Sequence, residues 1–352
     1  MNALEKWIHS EIRKNIAEHS ELQTPVGAKK ITKIGTTEVE KYRLFKLSKI
    51  IGYVKNASPF YKRFFKKTDF GSNGDWSLEE FSKLPFTEPK NLIENPNSFL
   101  CVPQSEVFRG FSAEGTLESL RIFYSKDELD HIVDSIAAAL RMVELKKGGA
   151  LQIMFPKEAE WGCDYLVSQA ADRVGAKTNV TGHAFLEEQI QKMKEFKPSV
   201  AIGSNPYIYI ITGLASKEQR LRDLGLKAII LSRGCDYYPF DESIRKEVED
   251  AWGCKAYDQY GTIETGLAVA MECPVQDGLH INEADFFVEV VDPKTGEILE
   301  QGEEGELVFT TLNRRCMPLV RYRSRDISHM VTGKCRCGSS TTRMEGIKKK
   351  IQ

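Results

Sequence analysis

Between Lys126 and Asp258 the apolar residues switch repeatedly between two periods, and this alternation limits the folds open to the chain. Leu129, Ile132, Val133, Ile136, Ala137 and Leu140 recur at helical spacing and make one stripe. Residues 151–155 are instead a short apolar run stopped by Pro156, the pattern of a buried strand. Further strands are expected at 199–203, 227–231 and 255–258, each set off from the next by a helical pattern. The last helix is well marked. Asp241 can cap it, Ile244, Val248, Ala251 and Trp252 share a face, and Gly253 can end it. Strands alternating with helices predict an α/β fold with a largely parallel sheet and helices on its faces.

The texture changes after Cys273. Phe286–Val291 leads into the turn Asp292-Pro293-Lys294-Thr295-Gly296, and another strand follows at 305–312, the grammar of a β-rich subdomain. The first hundred residues read as helical and charged, with loops at 69–75 and 87–97. At 352 residues the chain exceeds what one hydrophobic core holds, so a multi-lobed domain or two domains are expected. A net charge of -1, with basic residues dispersed among acids, argues against a nucleic-acid partner. No apolar run approaches the roughly 18 residues of a membrane span, and the amino terminus lacks a signal-peptide core. The cysteines are scattered apart from one close pair. A cytoplasmic, reducing setting is therefore expected, with no membrane partner.

The densest chemistry lies in Tyr257-Asp258-Gln259-Tyr260-Gly261-Thr262-Ile263-Glu264-Thr265-Gly266. It sets an aromatic, a glycine, a hydroxyl and a carboxylate on what reads as one short loop after a strand. In parallel sheets ligands gather at the carboxyl ends of strands, where this loop would sit. Downstream come Gly278-Leu279-His280-Ile281, the run from Gly305 to Leu312, Arg321-Tyr322-Arg323-Ser324-Arg325-Asp326 and Cys335-Arg336-Cys337-Gly338. This ordered series resembles the adenylate-forming enzymes, and in particular the phenylacetate–coenzyme A ligase branch. The resemblance is specific from about Leu226 to Arg343 and general before that.

The resemblance implies two α/β lobes over residues 1–270, a small β-barrel-like subdomain over 271–345, and a tail at 346–352 where a carboxy-terminal lid domain would begin. It implies ATP or AMP with Mg²⁺. Tyr260 and Gly261 would flank adenine, Thr262 would approach the α-phosphate, and Glu264 would hold magnesium, for which a carboxylate is a suitable hard ligand. Asp326 would accept hydrogen bonds from the ribose hydroxyls, unless it pairs with Arg321 or Arg323. Arg343 would lie close to the nucleotide or be a surface charge. The family's phosphate loop corresponds to Phe111-Ser112-Ala113-Glu114-Gly115-Thr116-Leu117-Glu118-Ser119, where Ser112, Gly115 and Thr116 would serve phosphate. That loop has two glutamates and no lysine, so it should repel a triphosphate unless the carboxylates point away or bind magnesium. Ser232-Arg233-Gly234-Cys235-Asp236 also departs from the family's Gly-Ala-Glu. Arg233 could replace lost positive charge there, and Cys235 could be a reactive thiol. Trp161, Gly162, Tyr165, Asn205, Tyr207 and Tyr209 are candidates for the acid pocket, although Tyr207 and Tyr209 could equally be the core and edge of one element.

Cys273, His280, Cys335 and Cys337 offer three thiolates and an imidazole, the ligand set of structural Zn²⁺. Some members of this branch carry zinc at such residues, and its role would be to staple a loop rather than to catalyse. The competing reading is small buried thiols and a satisfied histidine. Three functions stay open: an AMP-forming ligase activating an aryl or acyl carboxylic acid, with coenzyme A or another acceptor; an impaired relative that only binds AMP, an adenylate or an acyl ligand; and a specialised adenylylating enzyme acting on a coenzyme or amine acceptor. Each admits a homodimer. The segment Gly346-Ile347-Lys348-Lys349-Lys350-Ile351-Gln352 reads as a solvated tail, the alternative being that Lys348, Lys349 or Lys350 folds back over the site. Without the lid's lysine, adenylation is expected to be slow or assisted by another chain.

Overall fold

The computed structural model describes residues 1–19, 22, 34–66, 77–112, 120–156, 162–215, 221–233 and 242–351. The amino-terminal region is helical, as its charged pattern predicts: α1 (Ala3–Glu18), α2 (Thr36–Ala57), α3 (Pro59–Phe64), α4 (Leu78–Ser82) and α5 (Pro89–Glu94). The last of these falls inside the loop expected at 87–97. Pro89 fits the first helical turn, and the Asn91 side chain accepts from the Glu88 backbone N–H, so the segment caps itself. The loop expected at 69–75 lies outside the described residues.

A two-stranded antiparallel ribbon follows, β1 (Arg109–Ser112) with β2 (Arg121–Tyr124). Then come α6 (Lys126–Met142), β3 (Ala150–Met154), α7 (Cys163–Val174), β4 (Lys177–Val180), α8 (Leu186–Phe196), β5 (Val200–Ser204), α9 (Asn205–Ala215), β6 (Ala228–Arg233), α10 (Glu242–Trp252) and β7 (Lys255–Thr262). Ser125 and Glu128 close a capping box at the start of α6. Gly253 ends α10 in the left-handed conformation expected of it, whereas its expected cap, Asp241, lies outside the described residues.

β3 to β7 pair in parallel, and β8 (Gly266–Glu272), β9 (Leu279–Ile281) and β13 (Arg343–Met344) extend the same sheet antiparallel, in the order β13-β9-β8-β7-β6-β5-β3-β4. One face, with Ile202, Ile230 and Tyr257, joins the α6 and α7 core. The other, with Ala201, Ile229 and Leu231, packs on α9 and α10, where the Trp252 indole donates to Thr212 at 2.8 Å.

A second, antiparallel sheet has the order β10-β11-β12-β14, made of β10 (Phe286–Val291), β11 (Gly305–Thr311), β12 (Tyr322–Ser328) and β14 (Lys349–Lys350). The β-rich part is therefore this four-stranded sheet among the described residues. The division expected near residue 270 does not follow the sheets, because β8, β9 and β13 belong to the large one. Antiparallel pairing of β9 with β8, and of β13 with β9, carries the large sheet past Cys273, where the apolar pattern changes. Among the described residues no helix is long and apolar enough to cross a membrane.

Candidate active site and metal centre

Tyr260, Gly261 and Thr262 finish β7, and residues 263–265 turn the chain into β8. The motif read as a loop is thus a strand end and a hairpin turn. Gly261 is not in the left-handed region. Glycine is needed there because a Cβ would lie 2.4 Å from the Gly266 carbonyl oxygen, where the hairpin register shifts. The Thr262 and Thr265 hydroxyls lie 3.0 Å apart and each meets the other's backbone N–H, which closes the turn.

Glu264 is half-buried at the tip, and its Oε1 accepts the Tyr322 phenol at 2.6 Å. Arg314, itself buried, donates to the Glu264 carbonyl and, at 2.8 Å, to the Thr265 carbonyl. It also reaches the Tyr124 hydroxyl at 3.1 Å, and Tyr124 donates to the Ile263 carbonyl at 3.4 Å. All three carbonyls of the turn therefore meet donors from distant parts of the chain.

Asp326 comes to this place through an irregularity in β12. Glu306 pairs with Ile327 but Val308 with Arg323, so β12 spends extra residues over that interval, and Arg325 takes φ +65°. Such a bulge re-aims a side chain. Buried Glu306 braces it, accepting from the Arg325 N–H at 2.9 Å and from the Arg323 guanidinium. Asp326 Oδ2 accepts the Tyr260 phenol at 2.7 Å. Arg321 instead pairs with Glu289, and Arg323 with Glu306 and Glu88, so neither neutralises Asp326. Burial, reinforced by the adjacent carboxylates, holds the Tyr260 and Tyr322 phenols well above their ordinary pKa, so both remain hydrogen-bond donors at neutral pH. The Tyr260 ring lies nearly parallel to Phe309, at 5.7 Å between centroids and 19°, so a purine would have to meet its other face.

The ligating atoms of Cys273, His280, Cys335 and Cys337 all lie within 4.8 Å of one another. Cys273 follows β8, His280 sits on β9, and the Cys335–Cys337 turn closes over them. The Cys273 and Cys335 sulfurs are 3.7 Å apart, and Cys337 Sγ is 3.5 Å from His280 Nε2. The other imidazole nitrogen lies 2.8 Å from the Thr341 hydroxyl, the kind of outer contact that orients a ligating histidine. Burial, aided by Arg343, lowers the His280 pKa to about 4, keeping the ring neutral and able to ligate. Burial pushes the Cys273 thiol up to about 12, a cost that a bound cation would offset by stabilising the thiolate. The donor set fits a tetrahedral thiolate–imidazole metal centre.

No family model matches the chain. It is 30% identical over 315 residues to the phenylacetate-coenzyme A ligase of Pseudomonas putida, covering 86% of this chain and 69% of that enzyme. The chain belongs to the phenylacetate–coenzyme A ligase family. The phenylacetate-coenzyme A ligase of Thermus thermophilus is 30% identical over 308 residues, with 85% of this chain and 67% of that enzyme covered. Among solved structures, an open conformation of 2-hydroxyisobutyryl-CoA ligase in complex with 2-HIB-AMP and CoA superposes with a TM-score of 0.82 at 21% identity, over 94% of this chain and 80% of that one. A long-chain-fatty-acid-CoA ligase from Archaeoglobus fulgidus superposes with a TM-score of 0.54 at 13% identity, over 71% and 52%. These last two likenesses establish the fold.

The other residues expected from the phenylacetate–coenzyme A ligase pattern are placed unevenly. Gly115 and Thr116, with Glu114 and Glu118, lie outside the described residues; Ser112 ends β1, the strand leading into them. Arg343 belongs to the large sheet. It lies on β13 opposite His280, buried, with its guanidinium held by the Asp277 carboxylate at 2.7 Å and by the Gly333 carbonyl at 3.1 Å. The surface-charge reading therefore gives way to a buried brace beside the cysteine–histidine cluster.

Of the expected acid pocket, Trp161 lies outside the described residues, as does Cys235. Gly162 is where the Phe111 ring packs, since a Cβ there would lie 2.3 Å from that ring. Tyr165 is exposed beneath the Arg109 guanidinium. Asn205, Tyr207 and Tyr209 share α9. Tyr207 donates to the Ala184 carbonyl at 2.6 Å, and buried Asn205 has neither amide atom paired among the described residues. Residues 348–350 of the expected solvated tail are exposed, yet the backbone is docked: β14 pairs with β12, and Lys350 Nζ comes within 3.9 Å of Asp326 Oδ1. Sequence reading assigned nothing to Tyr322, Arg314, Tyr124 or Glu306. Tyr322 stood inside the quoted Arg-Tyr-Arg-Ser-Arg-Asp run, where the resemblance gave a role only to Asp326.

Proposed function

We propose that this chain carries out the AMP-forming activation of a carboxylic acid, aryl or acyl. A carboxylate oxygen of the acid attacks the α-phosphorus of ATP. The bond from that phosphorus to the bridging oxygen breaks, and pyrophosphate leaves with the electron pair, giving an acyl-adenylate. The family's ligases point to coenzyme A as acceptor: its thiol would attack the acyl carbonyl and release AMP. The observation that carries this reading is the convergence of two phenol–carboxylate pairs, Tyr260 with Asp326 and Tyr322 with Glu264, from two sheets onto one strand end.

In this reading Asp326 accepts from the ribose hydroxyls, and Tyr260 and Gly261 flank adenine. Glu264 is the carboxylate for Mg²⁺. Magnesium, when bound, neutralises phosphate charge and orients the leaving pyrophosphate. Ser112, Gly115 and Thr116 would serve the outer phosphates, and Thr262 the α-phosphate once its hydroxyl turns from Thr265. Catalysis is then positioning and charge neutralisation rather than covalent chemistry. Zn²⁺ is the ion proposed for Cys273, His280, Cys335 and Cys337. Four protein ligands leave no open position, so its role is structural. Thiolate ligation suits a reducing, cytoplasmic setting.

Acid-dependent exchange of labelled pyrophosphate into ATP, run over a panel of aryl and acyl acids, tests the reading. At least one acid should support exchange, and Glu264→Gln should lower it on the order of 100-fold or more. AMP binding with no exchange for any acid would leave a nucleotide binder instead.

A further inference from the structure

We propose that Tyr322, Arg314 and Tyr124 are positioning residues that fix Glu264 so that its second carboxylate oxygen, Oε2, faces the nucleotide's cation. The proposal rests on the magnesium role given to Glu264 above. A glutamate at a hairpin tip has two sources of freedom: the turn that carries it and its own side-chain torsions. Both are removed here by residues far away in sequence.

The turn is held at every carbonyl. Arg314 takes the Glu264 and Thr265 oxygens with one planar fork, and the Tyr124 hydroxyl reaches the Ile263 oxygen. The Arg314 guanidinium lies 4.8 Å over the Tyr124 ring, so the two donors brace each other. A lysine could not replace the fork, because one ammonium cannot meet two carbonyls and a phenol in this planar arrangement. The side chain is then fixed by Tyr322, whose phenol occupies Oε1 at 2.6 Å and is held in its protonated, donating form by burial. Tyr322 itself is 1% exposed and stands on β12 four residues before Asp326. One strand thus orients the cation ligand and carries the ribose acceptor, which sets the spacing between phosphate and ribose contacts.

Partners that hydrogen-bond a ligating carboxylate commonly contribute 10–100-fold in metal affinity. The test is equilibrium titration of Mn²⁺, counted by its paramagnetic resonance signal, into protein with a non-hydrolysable ATP analogue, beside calorimetry of AMP without metal. Tyr322→Phe should weaken Mn²⁺ in the ternary complex about 10–100-fold and leave metal-free AMP binding unchanged. Arg314→Lys should do the same in kind. Glu264→Gln serves as reference. If Glu264→Gln weakens Mn²⁺ binding but Tyr322→Phe and Arg314→Lys do not, the positioning proposal fails while the Glu264 assignment survives. If Glu264→Gln has no effect, the assignment fails and takes the proposal with it. Equal loss of AMP and Mn²⁺ affinity in Tyr322→Phe would show a general structural role and overturn the proposal. Should Arg314→Lys fail to fold, the shape-preserving Tyr322→Phe decides alone.

Discussion

His131 on α6 and the buried Asp285 before β10 are the residue pair through which pH should act most directly on stability. His131 Nε2 lies 2.6 Å from Asp285 Oδ1, and Asn282 and Asn313 donate to the same carboxylate at 2.8 Å. The Asp285 charge raises the His131 pKa to about 9, against opposing desolvation. Burial alone would raise Asp285, but His131 and these amides outweigh it and hold the carboxyl below its usual range. The His131 pKa is higher folded than unfolded, so its contribution is complete below pH ~6.5 and is lost as pH rises through about 9. The ceiling is on the order of 3 kcal/mol. Urea unfolding from pH 6 to 10 should show the wild type weakening across this window and His131→Gln nearly flat. Parallel pH profiles would place the titration elsewhere. The histidine's periodicity puts it on a helix, but its partner is 154 residues away. No local pattern announces such a pairing.

At the scale of elements, the Cys273, His280, Cys335 and Cys337 cluster ties the end of the large sheet to α1. Asn2, the cap of α1, lies 3.9 Å from Cys337 Sγ, and Glu5 accepts from the Ser340 N–H and hydroxyl at 2.8 and 2.6 Å. Trp7 on the same helix packs 5.3 Å from His131. Protein purified without chelator should hold about one zinc per chain, and Cys337→Ser should lose it and unfold several degrees lower, because metal affinity is folding free energy. Trp7 should move toward water as α1 loosens, although three other tryptophans require a Trp7→Phe control. Unchanged zinc content in Cys337→Ser would sink the assignment. The four members of the cluster were legible as a candidate ligand set from residue type together with the family resemblance. The attachment of α1 was not, because nothing in the local pattern around Asn2 and Glu5 names the distant Cys335–Ser340 segment as their partner.

Across the whole molecule, Arg321 joins the amino-terminal helices to the second sheet. It is 1% exposed, bonds the Glu289 carboxylate at 2.9 and 3.1 Å, and donates to the carbonyls of Ser82 and Leu84 more than 230 residues away. Phe86 covers its guanidinium at 4.1 Å. Breaking a buried pair leaves an uncompensated charge, so Arg321→Met should cost about 3–5 kcal/mol. Adding Glu289→Leu should recover only part of this, since the Ser82 and Leu84 carbonyls would remain unpaired. A double-mutant cycle by urea unfolding measures both effects. Full recovery would mean that the carbonyl contacts contribute nothing, and a cost below 1 kcal/mol that Glu289 is already neutral or wet.

By itself the sequence determined the parallel strands and their helices, because periods of two and 3.6 residues follow from backbone geometry and the burial of one face. It also brought out Cys273, His280, Cys335 and Cys337 as a candidate ligand set, which the fold gathers within 4.8 Å, because that chemistry is carried by residue type. Only the tertiary structure decided that the Tyr260 motif ends a strand, since Gly261 is required by the close Gly266 carbonyl rather than by its own φ. It also decided that Arg343 is buried beside the cysteine–histidine cluster, that residues 349–350 pair as a strand, and that Asp326 is turned inward by a bulge. In each case the partner is remote in sequence. Which of several available acceptors or neighbours a side chain meets is fixed by how the sheets stack, and no local period encodes it.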